Sequence, residues 1–134
     1  ALARTGAWAM TAHILYTAID AQLPATLSPL VIETVIRRAI GFDGVLVSDD
    51  VCMRALAGDP AALTRQALAA GCDLVLHCNG VLADTAAVLA ECPVLSPLAE
   101  ARLEAARAAV ARARRPLDTL ALRAARDAAL ALAA

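Results

Sequence analysis

The stretch GFDGVLVSDDVCM, from Gly41 to Met53, decides how this chain is read. Its centre, Gly44 to Asp50, is a short apolar run that ends in two adjacent carboxylates. A nearly continuous apolar run of that length predicts a parallel strand covered on both faces. Alternation along a strand sets Val45, Val47 and Asp49 on one face and Leu46, Ser48 and Asp50 on the other. Two neighbouring carboxylates beside apolar residues are costly unless they face a cleft, accept hydrogen bonds or meet a cation. One of the two Asp residues can therefore point into a site while the other holds a loop or helix. The purely structural alternative has both of them capping the following turn.

The surroundings of this strand repeat one pattern. Upstream, Ser28-Pro29 reads as an N-cap followed by proline at the first helical position. Val31, Ile32, Val35, Ile36 and Ile40 then recur three or four residues apart, which predicts one apolar helical stripe. Arg37 and Arg38 fall in its last turn and Gly41 can end it. Downstream, Asp59-Pro60 repeats the start signal and Gly71 the stop. DLVLHCN, Asp73 to Asn79, predicts another strand, and WAMTAHILY, Trp8 to Tyr16, an earlier one. Val45 to Val75 spans 30 positions, the length of one βα repeat. A helix over Leu82 to Ala90 completes three strand–helix units, and such alternation implies a parallel sheet with right-handed crossovers. Pro97 to Arg114 and Leu117 to Ala133, separated by Pro116, read as Ala-rich closing helices outside the sheet, with Ser96 and Asp118 as candidate caps.

Composition narrows the function classes. The chain has 134 residues, and 60% of them are hydrophobic, above the ~45–50% of an average globular chain. This excludes a disordered tail. Trp8, Tyr16 and Phe42 are the only aromatic residues, so base stacking is not expected. All 12 basic residues are Arg, set against 13 acidic ones, and the formal charge of −1 leaves no footprint for nucleic acid. Cys52, Cys72, Cys78 and Cys92 contain no C-x-x-C pair, so they read as reduced thiols of a cytoplasmic protein rather than a zinc site. No apolar run approaches the ~20 residues of a membrane span. Arg4, Gly6 and His13 break the apolar N-terminus, which reads poorly as a signal peptide.

Each predicted strand ends in polar residues: His13 on the first, Ser48, Asp49 and Asp50 on the second, His77 and Asn79 on the third. In parallel α/β folds ligands bind at the carboxyl ends of the strands, so these residues form a candidate site wall. His13 reads equally as a hydrogen-bonded core histidine, and His77 as one that faces the helix layer.

Four segments resemble glycoside hydrolase family 3, in its β-N-acetylhexosaminidase branch. GFDGVLVSDDVCM resembles that branch's nucleophile segment, G-F-x-G-[VI]-[IV]-x-S-D-D-L-x-M, with Val51 in place of the common Leu. AMTAHILY, Ala9 to Tyr16, resembles its M-x-[AS]-H-[VI]-x-[YF] strand. AGCDLVLHCN, Ala70 to Asn79, resembles its A-G-x-D-[LM]-[LIV]-L-x-C-N strand. LSPLVIETVIRRAIGFDG resembles the helix before the nucleophile strand. The segments run in family order from about Ala9 to Asn79.

The resemblance implies the last three βα units of a (β/α)8 TIM barrel, residues 1–95, followed by closing helices of the same domain, residues 96–134. It implies a retaining exo-β-N-acetylglucosaminidase that removes terminal GlcNAc from muropeptides derived from peptidoglycan. Asp49 matches the nucleophile. His13 matches a histidine at a strand end with a supporting role. Asp50, to which the match gives no role, is expected to orient the site through hydrogen bonds, and Met53 to line the sugar pocket. Neither a cofactor nor a metal is implied. The family's acid/base histidine and its K-H-[FY]-P-G-x-G strand match nothing in these residues, so the resemblance places them upstream. The complete protein is expected to be a cytoplasmic monomer. A parallel sheet of three strands leaves bare edges and apolar surface, so the 134-residue chain alone is expected to self-associate and to be inactive.

Three alternatives stand beside this reading. A family 3 β-glucosidase or xylosidase fits less well, because that branch more often has Trp where this chain has Asp50. A stand-alone α/β module could hold Mg²⁺ on the paired carboxylates, but Lys and a Gly-rich phosphate loop are absent. The last alternative is an inactive remnant.

Overall fold

The computed structural model describes residues 7–132. It shows an α/β chain whose three strands, β1 (Ala9–Met10), β2 (Leu46–Asp50) and β3 (Leu74–Leu76), form one parallel sheet in the order β1-β2-β3. Strand order follows chain order, as successive crossover units dictate. The predicted residues 1–6, with Arg4 and Gly6, and the predicted helix end at Ala133 lie outside the described residues.

The first strand is shorter than its apolar run predicts. Ala9 and Met10 pair with Leu46 and Val47, and the Thr11 amide still donates to the Val47 carbonyl at 2.9 Å. Beyond Thr11 the ladder stops, because the side chains of Thr11 and His13 turn to Thr26 instead. Ile14, Leu15 and Tyr16 are consequently exposed.

The helix after Ser28 forms where predicted but with a wider turn. Ser28 Oγ accepts from the Val31 amide at 3.1 Å and the Ser28 carbonyl from the Ile32 amide. Val31–Ala39 is then a π-helix, and the Ile40 amide reaches back five residues to Val35 at 2.8 Å. The wider turn shifts the predicted apolar stripe. Val31 and Ile32 are buried, whereas Ile40 is 59% exposed beside an apolar groove formed with Trp8, Met10 and Phe42.

α1 (Pro60–Ala70) starts and stops on the predicted residues. Asp59 accepts from the Ala62 amide at 3.0 Å, and Gly71 ends the helix with φ +113°. A Cβ on Gly71 would lie 3.1 Å from Ile32 Cγ2, so both conformation and space call for glycine. α1 packs its buried Leu63, Ala67 and Ala70 against Ile32, Phe42, Leu46, Val51 and Leu56, and this cluster is the core. Each fully buried aliphatic side chain there contributes about 1.5–3 kcal/mol.

α2 (Leu82–Ala90) follows β3. α3 (Pro97–Ala113) is capped by Ser96, and α4 (Thr119–Ala131) by Asp118, as the caps predict. α3 buries Ala99 and Ala106, but α4 buries none of its described residues, so only the first of the two closing helices docks. The dock is electrostatic as well as apolar. Arg102 of α3 meets Asp73 Oδ1 at 2.7 Å, and Arg37 of the π-helix meets Asp73 Oδ2 at 2.9 Å. The Leu46 amide also donates to Asp73 Oδ2, at 2.9 Å. No helix of the described residues is long and apolar enough to cross a membrane.

Candidate active site

The end of β2 carries the site, and its geometry begins with an irregularity. Val47 pairs with Leu74, but Asp50 pairs with Leu76, so β2 has one more residue than β3 across this step. Such a bulge bends the strand and re-aims its side chains. Ser48 makes it tolerable: fully buried, its Oγ accepts from the Leu76 amide at 3.0 Å, a donor the disturbed ladder would leave orphaned.

The two carboxylates have different surroundings. Asp50 Oδ1 accepts from the Cys52 amide at 3.0 Å and the Cys78 amide at 3.2 Å. It therefore closes the turn after β2 and ties it to the end of β3. Asp49 Oδ1 accepts from the Asp50 amide at 2.9 Å, and no described residue bonds its Oδ2. Among the described residues no arginine forms an ion pair with either carboxylate, and both side chains remain partly open to solvent. The strand thus divides the two roles that its sequence left undivided. Asp50 cross-links the loop through Oδ1, Asp49 bonds only its neighbour's amide, and each leaves its Oδ2 without a described partner.

β1 supplies the other wall. The Asp49 amide donates to Thr11 Oγ1 at 3.2 Å, and Thr11 Oγ1 lies 2.8 Å from Thr26 Oγ1. His13 places Nδ1 2.9 Å from Thr26 Oγ1 and Nε2 2.8 Å from the Asp50 carbonyl. That carbonyl also accepts from the Met53 amide at 3.0 Å. His13, Asp49 and Asp50 are therefore brought together. Met53 joins them through its backbone, while its side chain is exposed.

The other strand-end residues are placed differently. Asn79 Oδ1 accepts from the Val81 amide at 2.8 Å and its Nδ2 donates to Asp84 at 2.6 Å, so it secures the start of α2. His77 Nε2 is buried with no partner among the described residues. Two thiols flank the site and are poor nucleophiles. Burial, then the Asp50 charge, raises Cys52, and burial pushes Cys72 up to about 12.

Thr11 and Thr26 are functional candidates that the sequence reading missed. Thr11 stands two residues before His13, a strand spacing that puts both on one side. Thr26 lies in the 3₁₀ turn Ala25–Leu27, and nothing local marks it. Among the described residues, no three His, Cys, Asp or Glu side chains gather into a metal-binding group.

Comparison with known proteins finds similarity to β-hexosaminidases. A β-hexosaminidase of Methylococcus capsulatus is 47% identical over 72 residues, covering 52% of this chain and 21% of that protein. One from Alkalilimnicola ehrlichii is 45% identical over 96 residues, covering 70% of this chain and 27% of that protein. The chain therefore spans about a quarter of the length of these curated relatives. Among solved structures, a family 3 β-N-acetylglucosaminidase from a Paenibacillus species superposes with a TM-score of 0.64 at 32% identity, over 84% of this chain and 24% of that one. The β-N-acetylglucosaminidase of Thermotoga maritima gives 0.57 at 31% identity, over 78% of this chain and 25% of that one. Residues 2–113 match the family model described as "Glycosyl hydrolase family 3 N terminal domain". With the four sequence segments, the parallel sheet and this match all in agreement, the chain belongs to glycoside hydrolase family 3.

Proposed function

We propose that this chain carries the nucleophile of a retaining exo-β-N-acetylglucosaminidase, and that the nucleophile is Asp49. The observation that carries the proposal is the unequal occupation of the adjacent carboxylates. Asp50 Oδ1 accepts two amides and so cross-links the turn to the end of β3, whereas Asp49 accepts only the amide of its immediate neighbour, and neither Oδ2 has a partner among the described residues. A carboxylate that is to attack an anomeric carbon needs an unshared oxygen and a fixed backbone. The Asp49 oxygen forms a bond to that carbon as the bond to the leaving oxygen breaks. The leaving oxygen takes a proton from an acid outside these residues. Water then cleaves the glycosyl-aspartate, and the sugar leaves with its configuration retained.

In this reading residues 1–95 are βα units of a TIM-barrel catalytic domain, and residues 96–134 are its closing helices. The docking of α3 through Arg102 supports one domain for both segments. The substrate class is a GlcNAc-terminated muropeptide, in the cytoplasm, acted on by a monomer. β-Hexosaminidase relatives at 45–47% identity support an N-acetylated sugar over plain glucose or xylose. The test is Asp49→Asn beside Asp50→Asn in the protein that carries this chain, with an aryl N-acetyl-β-glucosaminide as substrate. Asp49→Asn is expected to lower kcat by about 10⁴-fold or more, by analogy with removal of other enzymic nucleophiles. Near-normal turnover would remove Asp49 from the role. Faster cleavage of the plain aryl glucoside than of its N-acetylated counterpart would shift the substrate assignment.

A further inference from the structure

With His13 neutral, the bonds around the Asp49–Asp50 backbone run in one direction. At one end the Asp50 carbonyl can only accept, so His13 Nε2 carries a proton and donates to it at 2.8 Å. In the neutral imidazole Nδ1 then holds a lone pair, and the Thr26 hydroxyl donates to it at 2.9 Å. Having spent its one proton, Thr26 Oγ1 accepts from the Thr11 hydroxyl at 2.8 Å. Thr11 Oγ1 in turn accepts from the Asp49 amide, which can only donate, at 3.2 Å. Every proton in this circuit is used once. Thr26 is fully buried and Thr11 nearly so, and solvent does not substitute for a missing member. The opposite neutral tautomer would turn a nitrogen lone pair toward the Asp50 carbonyl oxygen at 2.8 Å, two acceptors face to face, and would send the Thr11 proton out of the circuit.

We propose that Thr11, Thr26 and His13 are positioning residues for Asp49, acting as a one-way hydrogen-bond relay from the Asp49 amide to the Asp50 carbonyl. The inference rests on the reading of Asp49 as nucleophile. The relay has a physical purpose at this place. The bulge costs β2 part of its ladder with β3 where the reactive side chain must be held most closely. Ser48 and Asp50 restore the connection on the β3 side, and the relay holds Asp49 and Asp50 from the β1 side. The reactive carboxylate thus stands on a backbone fixed from both neighbours while its own Oδ2 stays unshared.

Thr26→Val keeps the shape of the side chain and removes the hydroxyl, and Thr26→Ser keeps the hydroxyl. In the protein that carries this chain, Thr26→Val is expected to lower kcat on an aryl N-acetyl-β-glucosaminide by about tenfold to a hundredfold, the range of a slight misplacement of a reacting group. KM should stay within about twofold, because ground-state binding is untouched. Thr26→Ser should recover most of the loss. Thr11→Val is the second variant and should show the same split. Imidazole nitrogen chemical shifts should show His13 as the Nε2-protonated tautomer, with that preference lost in Thr26→Val. Unchanged kcat in folded Thr26→Val and Thr11→Val would overturn the proposal. So would an Nδ1-protonated His13, or a serine variant as impaired as the valine one. Undiminished turnover in Asp49→Asn overturns the nucleophile reading instead, and the tautomer, read without substrate, tests the relay alone.

Discussion

At the amino-terminal end of the sheet Asp73 lies between two arginines, whereas at the carboxyl end Asp49 and Asp50 meet amides, hydroxyls and a histidine but no described arginine. Asp73 is buried and fully occupied: Arg37 and Arg102 take one oxygen each, and the Leu46 amide shares the second. Arg37 is itself tied to the carbonyls of Phe42 and Gly44, at 3.1 and 2.8 Å, and its guanidinium lies 5.5 Å from the Phe42 ring. The lower end is therefore a closed ionic joint between the π-helix, β2 and α3. Both carboxylate oxygens of Asp73 are engaged in it. The upper end holds its carboxylates through backbone bonds and Asp50 Oδ1, and leaves the Oδ2 of each without a described partner, the condition the proposed role of Asp49 requires. The same residue type serves support at one end and is available for chemistry at the other, according to how many partners fold onto it.

This contrast can be broken by exchanging the consequences. Asp49→Asn is expected to remove turnover while leaving the thermal midpoint close to that of the parent, since the amide still accepts from the Asp50 N–H. A large fall in the midpoint would make Asp49 a structural residue like Asp73. Asp73→Asn should do the reverse at the lower end. It leaves two part-buried arginines facing a neutral amide on a buried residue, and loss of one partner from a buried ionic group costs up to about 3–5 kcal/mol. Urea denaturation reads this loss, and a midpoint equal to the parent's would show the joint to be dispensable.

Ser48→Ala sharpens the comparison at the bulge. It orphans the Leu76 amide beneath the site, an expected cost of about 1–3 kcal/mol. Hydrogen exchange at Leu76 should accelerate, and an unchanged rate would show that the ladder closes without the serine.

The smallest effect concerns Asp20, in the loop between β1 and the π-helix. The Ser28 hydroxyl, at 2.6 Å, holds its carboxyl below the usual value, helped by the Gln22 and Leu23 amides. A lowered folded value means that this contribution is complete above the unfolded carboxylate value of about 3.9. It is lost as pH falls through the lower folded value. Asp20→Asn should therefore differ from the parent in stability at neutral pH, with the gap narrowing in acid. A gap that does not change with pH would show that the Asp20 charge is not what holds the loop.

Much of the fold was legible because its signals are local. Asp59-Pro60, Gly71, Ser96 and Asp118 act within one helical turn of where they stand, and all four mark the ends they predict. The first strand is shorter than its apolar run predicts because apolar character alone does not mark where pairing ends, and its later residues bond through side chains instead. The π-helix was read as an ordinary stripe because a wider turn leaves no mark in three- and four-residue spacing. In the site, Asp49, Asp50 and His13 could be named from the strand ends. Thr26 could not, since it lies in a short turn and meets its partners only across the fold.

The sequence by itself determined the α/β class, the order of the strands, the caps and the position of the paired carboxylates. Those depend on neighbours a few residues apart. Only the tertiary structure decided which carboxylate ties the loop to β3, where β2 bulges and which arginines neutralise Asp73. The deciding partners are distant in the chain: Asp49 and Thr11 are 38 residues apart, Arg37 and Asp73 36, and Leu46 and Asp73 27. Hydrogen bonds and ion pairs act over a few ångströms, so a pattern along the chain can show that a group is able to bond, and only the packed sheet and helices bring it a partner.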